Sequence, residues 1–278
     1  MILDGKKISA VIRKNLKEEV KRLNDKITLV VVLVGNNSAS KIYVRHKQRA
    51  CDEVGINCEV IKLDENITED ELLNLINNVN NDESFHGLIV QLPLPKHLNA
   101  NKIINSIDSQ KDVDGLTVIN QGKLANRQKT LIPATPKGVI TLLDHYNINL
   151  EGKKALVIGR SNLVGKPLAL LLLDKNATVT IAHSKTKDLE KETLNYDLIA
   201  SCVGIPNFIT SKMVKPGAII VDVGISRVEG KVVGDCDFES LKDVASYITP
   251  VPGGVGPMTI ASLLENVVES YKEMKGLL

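Results

Sequence analysis

The chain alternates short, wholly apolar runs with stretches in which apolar residues recur every three or four positions. Residues 27–34 form one continuous run rich in β-branched side chains, the pattern of a strand covered on both faces. Asn57–Leu63 and residues 87–91 read as the next strands, the latter stopped by Pro93 and Pro95. Two helical patterns separate them and a third precedes the first strand. Residues 8–23 are amphipathic. A second helix is capped by Ser38 or Ser40, runs through Val54 and stops at a left-handed Gly55. Thr68-x-x-Glu71 is a capping box opening a third helix, to about Asn80.

The second half repeats the alternation. Lys154–Ile158 predicts a strand ending at Gly159, and residues 163–173 a helix. Residues 177–182, 197–203 and 218–223 predict further strands, and residues 228–233 a hairpin turning at Glu229-Gly230. A helix over 238–244, a short strand at Tyr247–Ile248 and a closing helix over 260–275, capped by Thr259, complete the reading. The pattern predicts an α/β protein of two α/β domains with mainly parallel sheets, divided between Asp114 and about Gly138. Ligands of such sheets lie beyond the carboxyl ends of the strands. That singles out Gly35, Gln91, Gly159, His183, Ser184, Val203, Gly204, Gly224 and Ile225.

Composition removes several functions. The 278 residues carry a net charge of +2, no Trp and 3% aromatic residues, with lysines interspersed among acids. No basic stripe or stacking platform for nucleic acid follows from that. The N-terminus lacks the apolar run of a secretory signal, and no apolar run is long enough to span a bilayer. Cys51, Cys58, Cys202 and Cys236 show no Cys-x-x-Cys spacing, so reduced thiols in a cytoplasmic protein are expected, and no metal site.

Candidate chemistry begins at Lys47. On the second helix Tyr43, Lys47, Ala50, Cys51 and Val54 share one stripe, in which an ammonium is out of place. Either the side chain snorkels to water, or burial lowers its pKa toward the range of lysines that act as bases. A second candidate is Gly159-Arg160-Ser161-Asn162-Leu163-Val164-Gly165, which joins a strand directly to a helix. It is either a pyrophosphate-binding turn or a plain tight turn. The next strand ends in His183-Ser184-Lys185, where an NAD site would carry an acid. Hydroxyls and cations there, with Arg160, suit the 2′-phosphate of NADP, and a solvated lysine-rich loop is the competing reading.

Three further segments are distinctive in combination. Val90-Gln91-Leu92-Pro93-Leu94-Pro95 sets an amide at a strand end. Lys111-Asp112-Val113-Asp114-Gly115 presents two carboxylates. Pro252-Gly253-Gly254-Val255-Gly256-Pro257 is a glycine-rich loop ahead of the last helix. With Tyr43-Val44-x-x-Lys47 and the Gly159 loop, these motifs closely resemble the bifunctional methylenetetrahydrofolate dehydrogenase/methenyltetrahydrofolate cyclohydrolase family over essentially the whole chain. Ala134 departs from it, because many relatives carry Cys there.

The resemblance implies oxidation of 5,10-methylene-tetrahydrofolate with NADP+, then hydrolysis of the methenyl product to 10-formyl-tetrahydrofolate, a step of one-carbon metabolism. It implies a folate-binding catalytic domain over 1–115 with 260–278, a Rossmann-type NADP-binding domain over 116–259, a cleft between them and a homodimer. Lys47, Tyr43, Gln91 and Asp114 would be the catalytic residues. Folate would touch those four together with Val44, Val90, Leu92, Pro252, Gly253, Gly254, Val255 and Gly256. NADP would lie on Gly159, Arg160, Ser161, Val164, Gly165, His183, Ser184, Val203, Gly204, Gly224 and Ile225. A dehydrogenase-only relative and a shikimate-type NADP dehydrogenase are the alternatives.

Overall fold

The computed structural model describes residues 1–278. They divide into two compact units, Ala10–Ala134 with Ile260–Leu278, and Met1–Ser9 with Thr135–Thr259.

The first unit is built on a three-stranded parallel sheet. Helix α1 (Gly5–Leu23) leads to the central strand β1 (Thr28–Val34), and α2 (Ser38–Val54) to the edge strand β2 (Asn57–Leu63). Helix α3 (Glu69–Asn81) then precedes β3 (Gly87–Val90). β1 pairs Thr28 with Asn57 on one side and Leu29 with Gly87 on the other. Every β1 residue is buried. Leu29, Val31 and Leu33 pack with Val44, Cys51, Val54, Leu264 and Val268, while Val30, Val32 and Val34 pack with Leu72, Ile76 and Ile103. The two-residue period of a strand covered on both faces thus accounts for the unbroken apolar run.

Several boundaries differ from those the sequence predicts. The cap of α2 is Asn37, whose side chain accepts from Ser40 N at 3.0 Å. Ser40 is itself buried and donates to Leu92 O at 3.4 Å. Gly55 ends the helix with φ 88°. The capping box of α3 is present, Thr68 accepting from Glu71 N and Glu71 from Thr68 N. α1 begins at Gly5 rather than Ile8, because Asp4 Oδ1 accepts from Lys7 N at 2.9 Å. Helices α4 (Ala100–Asn105) and α5 (Val118–Ala125), capped by Asn99 and Thr117, are too short to show a periodic pattern.

The second unit holds a five-stranded parallel sheet of order β10-β7-β6-β4-β5. Helix α6 (Ala134–His145) precedes β4 (Lys154–Ile158), and α7 (Gly165–Asp174) connects it to β5 (Thr178–Ala182). A short α8 (Leu189–Glu192) leads to β6 (Leu198–Ser201), followed by β7 (Ile219–Asp222). The antiparallel hairpin β8 (Ser226–Val228) and β9 (Lys231–Val233), then α9 (Phe238–Leu241), precede β10 (Tyr247–Ile248). Leu3 N donates to Ile248 O at 2.8 Å, tying the N-terminus to the sheet edge. The closing helix α10 (Val255–Met274) starts four residues ahead of the expected Thr259. Pro257 falls in its first turn, where a missing N–H costs nothing, and Thr259 Oγ1 instead donates to Val255 O at 3.2 Å. α7 likewise starts at Gly165, leaving Leu163 exposed ahead of it. No helix is long and apolar enough to cross a membrane.

Candidate active site

Helix α2 turns its buried side, formed by Ser40, Val44, Ala50, Cys51 and Val54, onto the three-stranded unit's core. The stripe expected to hold Tyr43 and Lys47 is therefore corrected. Tyr43 is 45% exposed, and Lys47 stands at the margin of the buried face with its side chain 13% exposed. Its ammonium reaches two partners. Lys47 Nζ donates to Gln91 Oε1 at 3.2 Å and lies 3.8 Å from Asp114 Oδ2. Gln91 follows directly after β3, where its backbone N–H still bonds Val32 O at 2.9 Å. Its amide nitrogen donates to Leu92 O at 2.8 Å, next to the cis Leu92–Pro93 bond. The amide is thereby oriented with its oxygen toward the lysine. Val90 and Val44 are buried below, and Leu92 is half-buried.

The two carboxylates of the 111–115 segment have different environments. Asp114 is the one at Lys47. Asp112 is buried and accepts from Leu116 N at 3.1 Å, Thr117 N at 2.8 Å and Asn120 Nδ2 at 2.9 Å, which fixes the entry to α5. Burial raises its pKa, and these donors offset that only in part. Lys111 is also internal. Its Nζ donates to Val79 O, Asn80 O and Asp82 O at 2.9, 2.7 and 2.7 Å, closing the C-terminus of α3, and burial lowers its pKa. Neither role is readable from the segment itself.

The carboxyl ends of the five-stranded sheet carry the second set. Gly159, with φ 121°, follows β4, and a Cβ there would come within 2.8 Å of Cys202 O. A Cβ at Gly165 would overlap the Gly159 carbonyl. The β4–α7 turn is thus tighter at both glycines than a side chain allows, which leaves bare backbone at its two ends. Ser161 Oγ accepts from Val164 N and Gly165 N at 3.2 and 3.4 Å, and Arg160 and Ser161 are exposed. After β5, His183 N donates to Thr186 Oγ1 at 2.9 Å and Lys185 N to His183 Nδ1 at 3.1 Å. This closed turn presents Ser184 and Lys185 with no carboxylate among residues 183–187. The donor set fits a phosphorylated dinucleotide.

Two acids that sequence reasoning missed lie under the remaining loops. Asp235 is fully buried and accepts from Ser201 Oγ at 2.9 Å, Val203 N at 2.8 Å and Ile205 N at 2.9 Å. Asp222, at the end of β7, accepts from Asp235 N at 2.9 Å and Cys236 N at 2.8 Å. Burial pushes the Asp222 carboxyl up to about 6. The available signal was Val-Asp-Val-Gly at the end of β7, followed by Gly-Asp-Cys-Asp after the hairpin. The 250–257 loop is braced within the same unit. Lys6 N donates to Gly253 O and Gly254 N to Pro250 O, both at 2.8 Å.

A five-stranded parallel sheet with a tight, glycine-bounded turn after its β4 strand defines a Rossmann-type dinucleotide-binding unit. With a lysine, amide and carboxylate gathered in the three-stranded unit, the class is a nicotinamide-linked enzyme. Two family models match, the tetrahydrofolate dehydrogenase/cyclohydrolase catalytic domain over residues 3–114 and its NAD(P)-binding domain over residues 133–275. The bifunctional protein FolD of Clostridium novyi is 50% identical over 274 residues, covering 97% of this chain and 99% of that protein. The crystal structure of FolD from Campylobacter jejuni is 53% identical with a TM-score of 0.96, covering 98% of this chain and 99% of that one. That of the Trypanosoma brucei enzyme, complexed with NADP cofactor and inhibitor, is 34% identical with a TM-score of 0.94, covering 98% and 97%.

The chain belongs to the tetrahydrofolate dehydrogenase/cyclohydrolase family. It is an enzyme that oxidises 5,10-methylene-tetrahydrofolate and hydrolyses the 5,10-methenyl product, with an NAD(P)-binding domain. A shikimate dehydrogenase from Listeria monocytogenes, at 13% identity and a TM-score of 0.55 with coverage of 90% and 96%, shares the fold alone.

Proposed function

We propose that Lys47, Gln91 and Asp114 form the catalytic centre for both reactions, with Tyr43 against the folate ring system, and that NADP+ is the oxidant. The observation that carries this reading is the gathering of two chemically different groups, an amide and a carboxylate, on one amine. Lys47 Nζ stands within reach of both Gln91 Oε1 and Asp114 Oδ2 in a mostly buried position. When bound, the nicotinamide supplies the redox chemistry by accepting the hydride.

The chain's own residues do the rest. Lys47 takes up and returns the proton of the water that opens the methenyl carbon. Gln91, its amide fixed by Leu92 O, holds Lys47 on line and orients that water. Asp114 accepts from the adjacent ring N–H and amino donors of the pterin in a two-point pair. Val44, Val90 and Leu92 supply apolar walls.

For the cofactor, Gly159, Arg160, Ser161, Val164 and Gly165 would hold the pyrophosphate. His183 and Ser184, with Arg160, would hold the 2′-phosphate. Val203, Gly204, Gly224 and Ile225 would line the nicotinamide end. The cation-bearing turn after β5 supports NADP over NAD, as does the NADP bound to the related trypanosomal enzyme.

The functional division follows these roles: 1–115 with 260–278 as the folate-binding catalytic domain and 116–259 as the NADP-binding domain. A homodimer through the NADP-binding domain belongs to the same reading. It is supported by β5, an edge strand with Ile181 38% exposed, and light scattering at twice 30.3 kDa tests it. Four free cysteines support residence in the reducing cytoplasm.

Lys47→Ala tests the reading. A folded variant that no longer hydrolyses methenyl-tetrahydrofolate supports it, and one that hydrolyses at the wild-type rate overturns it. Comparing kcat/KM with NADP+ and NAD+ tests the cofactor assignment separately.

A further inference from the structure

We infer that Asp235, some thirty residues along the chain from the loop after β6, is the positioning residue that holds the Val203–Gly204–Ile205 loop in shape for the cofactor. The inference rests on the reading that the loops after β6 and β7 line the nicotinamide end of the NADP site.

Asp235 follows the β8–β9 hairpin, and nothing of it reaches solvent. Its carboxylate has no cationic partner and is spent on the β6 end. Oδ2 accepts from Ser201 Oγ at 2.9 Å and from Val203 N at 2.8 Å, while Oδ1 accepts from Ile205 N at 2.9 Å. One side chain therefore fixes two backbone N–H groups flanking Gly204, whose φ of 69° makes it the turning point. The same carboxylate sits against Gly224 of the β7 loop so closely that a Cβ there would overlap it. Both loops thus take their position from one buried group.

Asp235 is in turn fixed from below. Its own N–H donates to Asp222 Oδ1 at 2.9 Å, Cys236 N donates to Asp222 Oδ2 at 2.8 Å, and Ile209 N donates to Asp235 O at 2.9 Å. The anchor chain runs from the end of β7 through Asp222 to Asp235 and on to the loop. A carboxylate suits this task because both its oxygens accept. An amide in its place would turn an N–H group toward a backbone donor and leave one loop bond unmade.

The test separates the enzyme's two activities. Asp235→Asn and the milder Ser201→Ala are compared with wild type for KM(NADP+) and kcat in the dehydrogenase reaction, and for hydrolysis of methenyl-tetrahydrofolate, which uses no nicotinamide. Expected is a rise in KM(NADP+) of about tenfold for Asp235→Asn, from a buried donor left unpaired, and a smaller rise for Ser201→Ala, with hydrolysis unchanged. Ile225→Glu, which perturbs the loop directly, reports on the underlying reading. If Ile225→Glu raises KM(NADP+) while neither other variant does, the role of Asp235 is refuted and the cofactor site stands. If Ile225→Glu also leaves KM(NADP+) unchanged, the site reading fails and the inference with it. A parallel loss of both activities in Asp235→Asn and Ser201→Ala refutes a specific positioning role.

Discussion

Gln91 accepts a hydrogen bond from Lys47 at 3.2 Å with an amide whose other end is committed to Leu92 O. The commitment means that the oxygen cannot turn away from the lysine without breaking a 2.8 Å bond. Gln91→Met keeps much of the side-chain volume and removes the acceptor. Methenyl hydrolysis in this variant is expected to fall by about tenfold or more, because an unoriented amine spends most of its time out of line. The thermal midpoint should stay within a few degrees of wild type, since Gln91 is only half-buried. Unchanged hydrolysis would mean that Lys47 needs no orienting partner.

Asp112 and Asp114 are two residues apart and should respond oppositely to substitution. Asp114→Asn is expected to raise KM for the folate with little change in stability, because its carboxylate faces Lys47 and is partly exposed. Asp112→Ala strands the N–H groups of Leu116 and Thr117 and should cost about 1–3 kcal/mol of stability. Urea denaturation alongside folate kinetics distinguishes the two. A stability loss confined to Asp114→Asn would reverse the assignment.

The contrast illustrates what sequence could carry. The continuous run of β1, the capping box at Thr68 and Glu71, and the glycines of the β4–α7 turn each express a local rule, so strands and site loops were legible within a residue or two. Gln91 and Asp114 stand out through the family resemblance of their segments, and the approach of Asp114 to Lys47 is not legible in the sequence. Burial by distant contacts was not. Lys111 closes a helix some thirty residues earlier, and Asp235 shapes a loop just as far behind it. Such pairings appear only once the chain has folded. Tyr43 was misread for a related reason. Helical spacing groups it with Lys47, but the sheet chooses the face centred on Val44, one step round the helix.

Asp222 should give the protein stability that increases as pH falls from about 6 to 4. Its folded pKa is about 6 against an ordinary 3.8, so in this window the native state holds a proton that the unfolded chain has released. The shift corresponds to roughly 3 kcal/mol, a cost present above pH 6 and relieved at lower pH. In Asp222→Asn this relief is absent. Urea midpoints measured at pH 4, 5, 6 and 7.5 should show a flatter dependence for the variant than for wild type. A parallel dependence in both proteins would show that Asp222 ionises in the fold as it does in the open chain.

His86 works in the opposite direction over an overlapping window. Its Nδ1 accepts from Thr28 N at 3.1 Å, so the ring is neutral with its proton on Nε2, which has no protein acceptor. The ring is buried and meets Tyr271 edge-on at 5.0 Å. Burial lowers the pKa below the ordinary 6.5, aided by Lys275 and Lys111 and opposed by Asp25. The unfolded chain therefore binds a proton first as pH falls, and stability that is complete above about 6.5 declines below it. Protonation would also set an N–H against the Thr28 donor. His86→Phe keeps the ring contact and removes both the titration and the acceptor. It should be less stable than wild type at pH 7.5, by about 1–3 kcal/mol for the stranded Thr28 N–H, and the gap should narrow toward pH 5. The comparison is best made in an Asp222→Asn background, where the opposing titration is silent. A gap that stays constant with pH in that background would show that His86 does not titrate with unfolding.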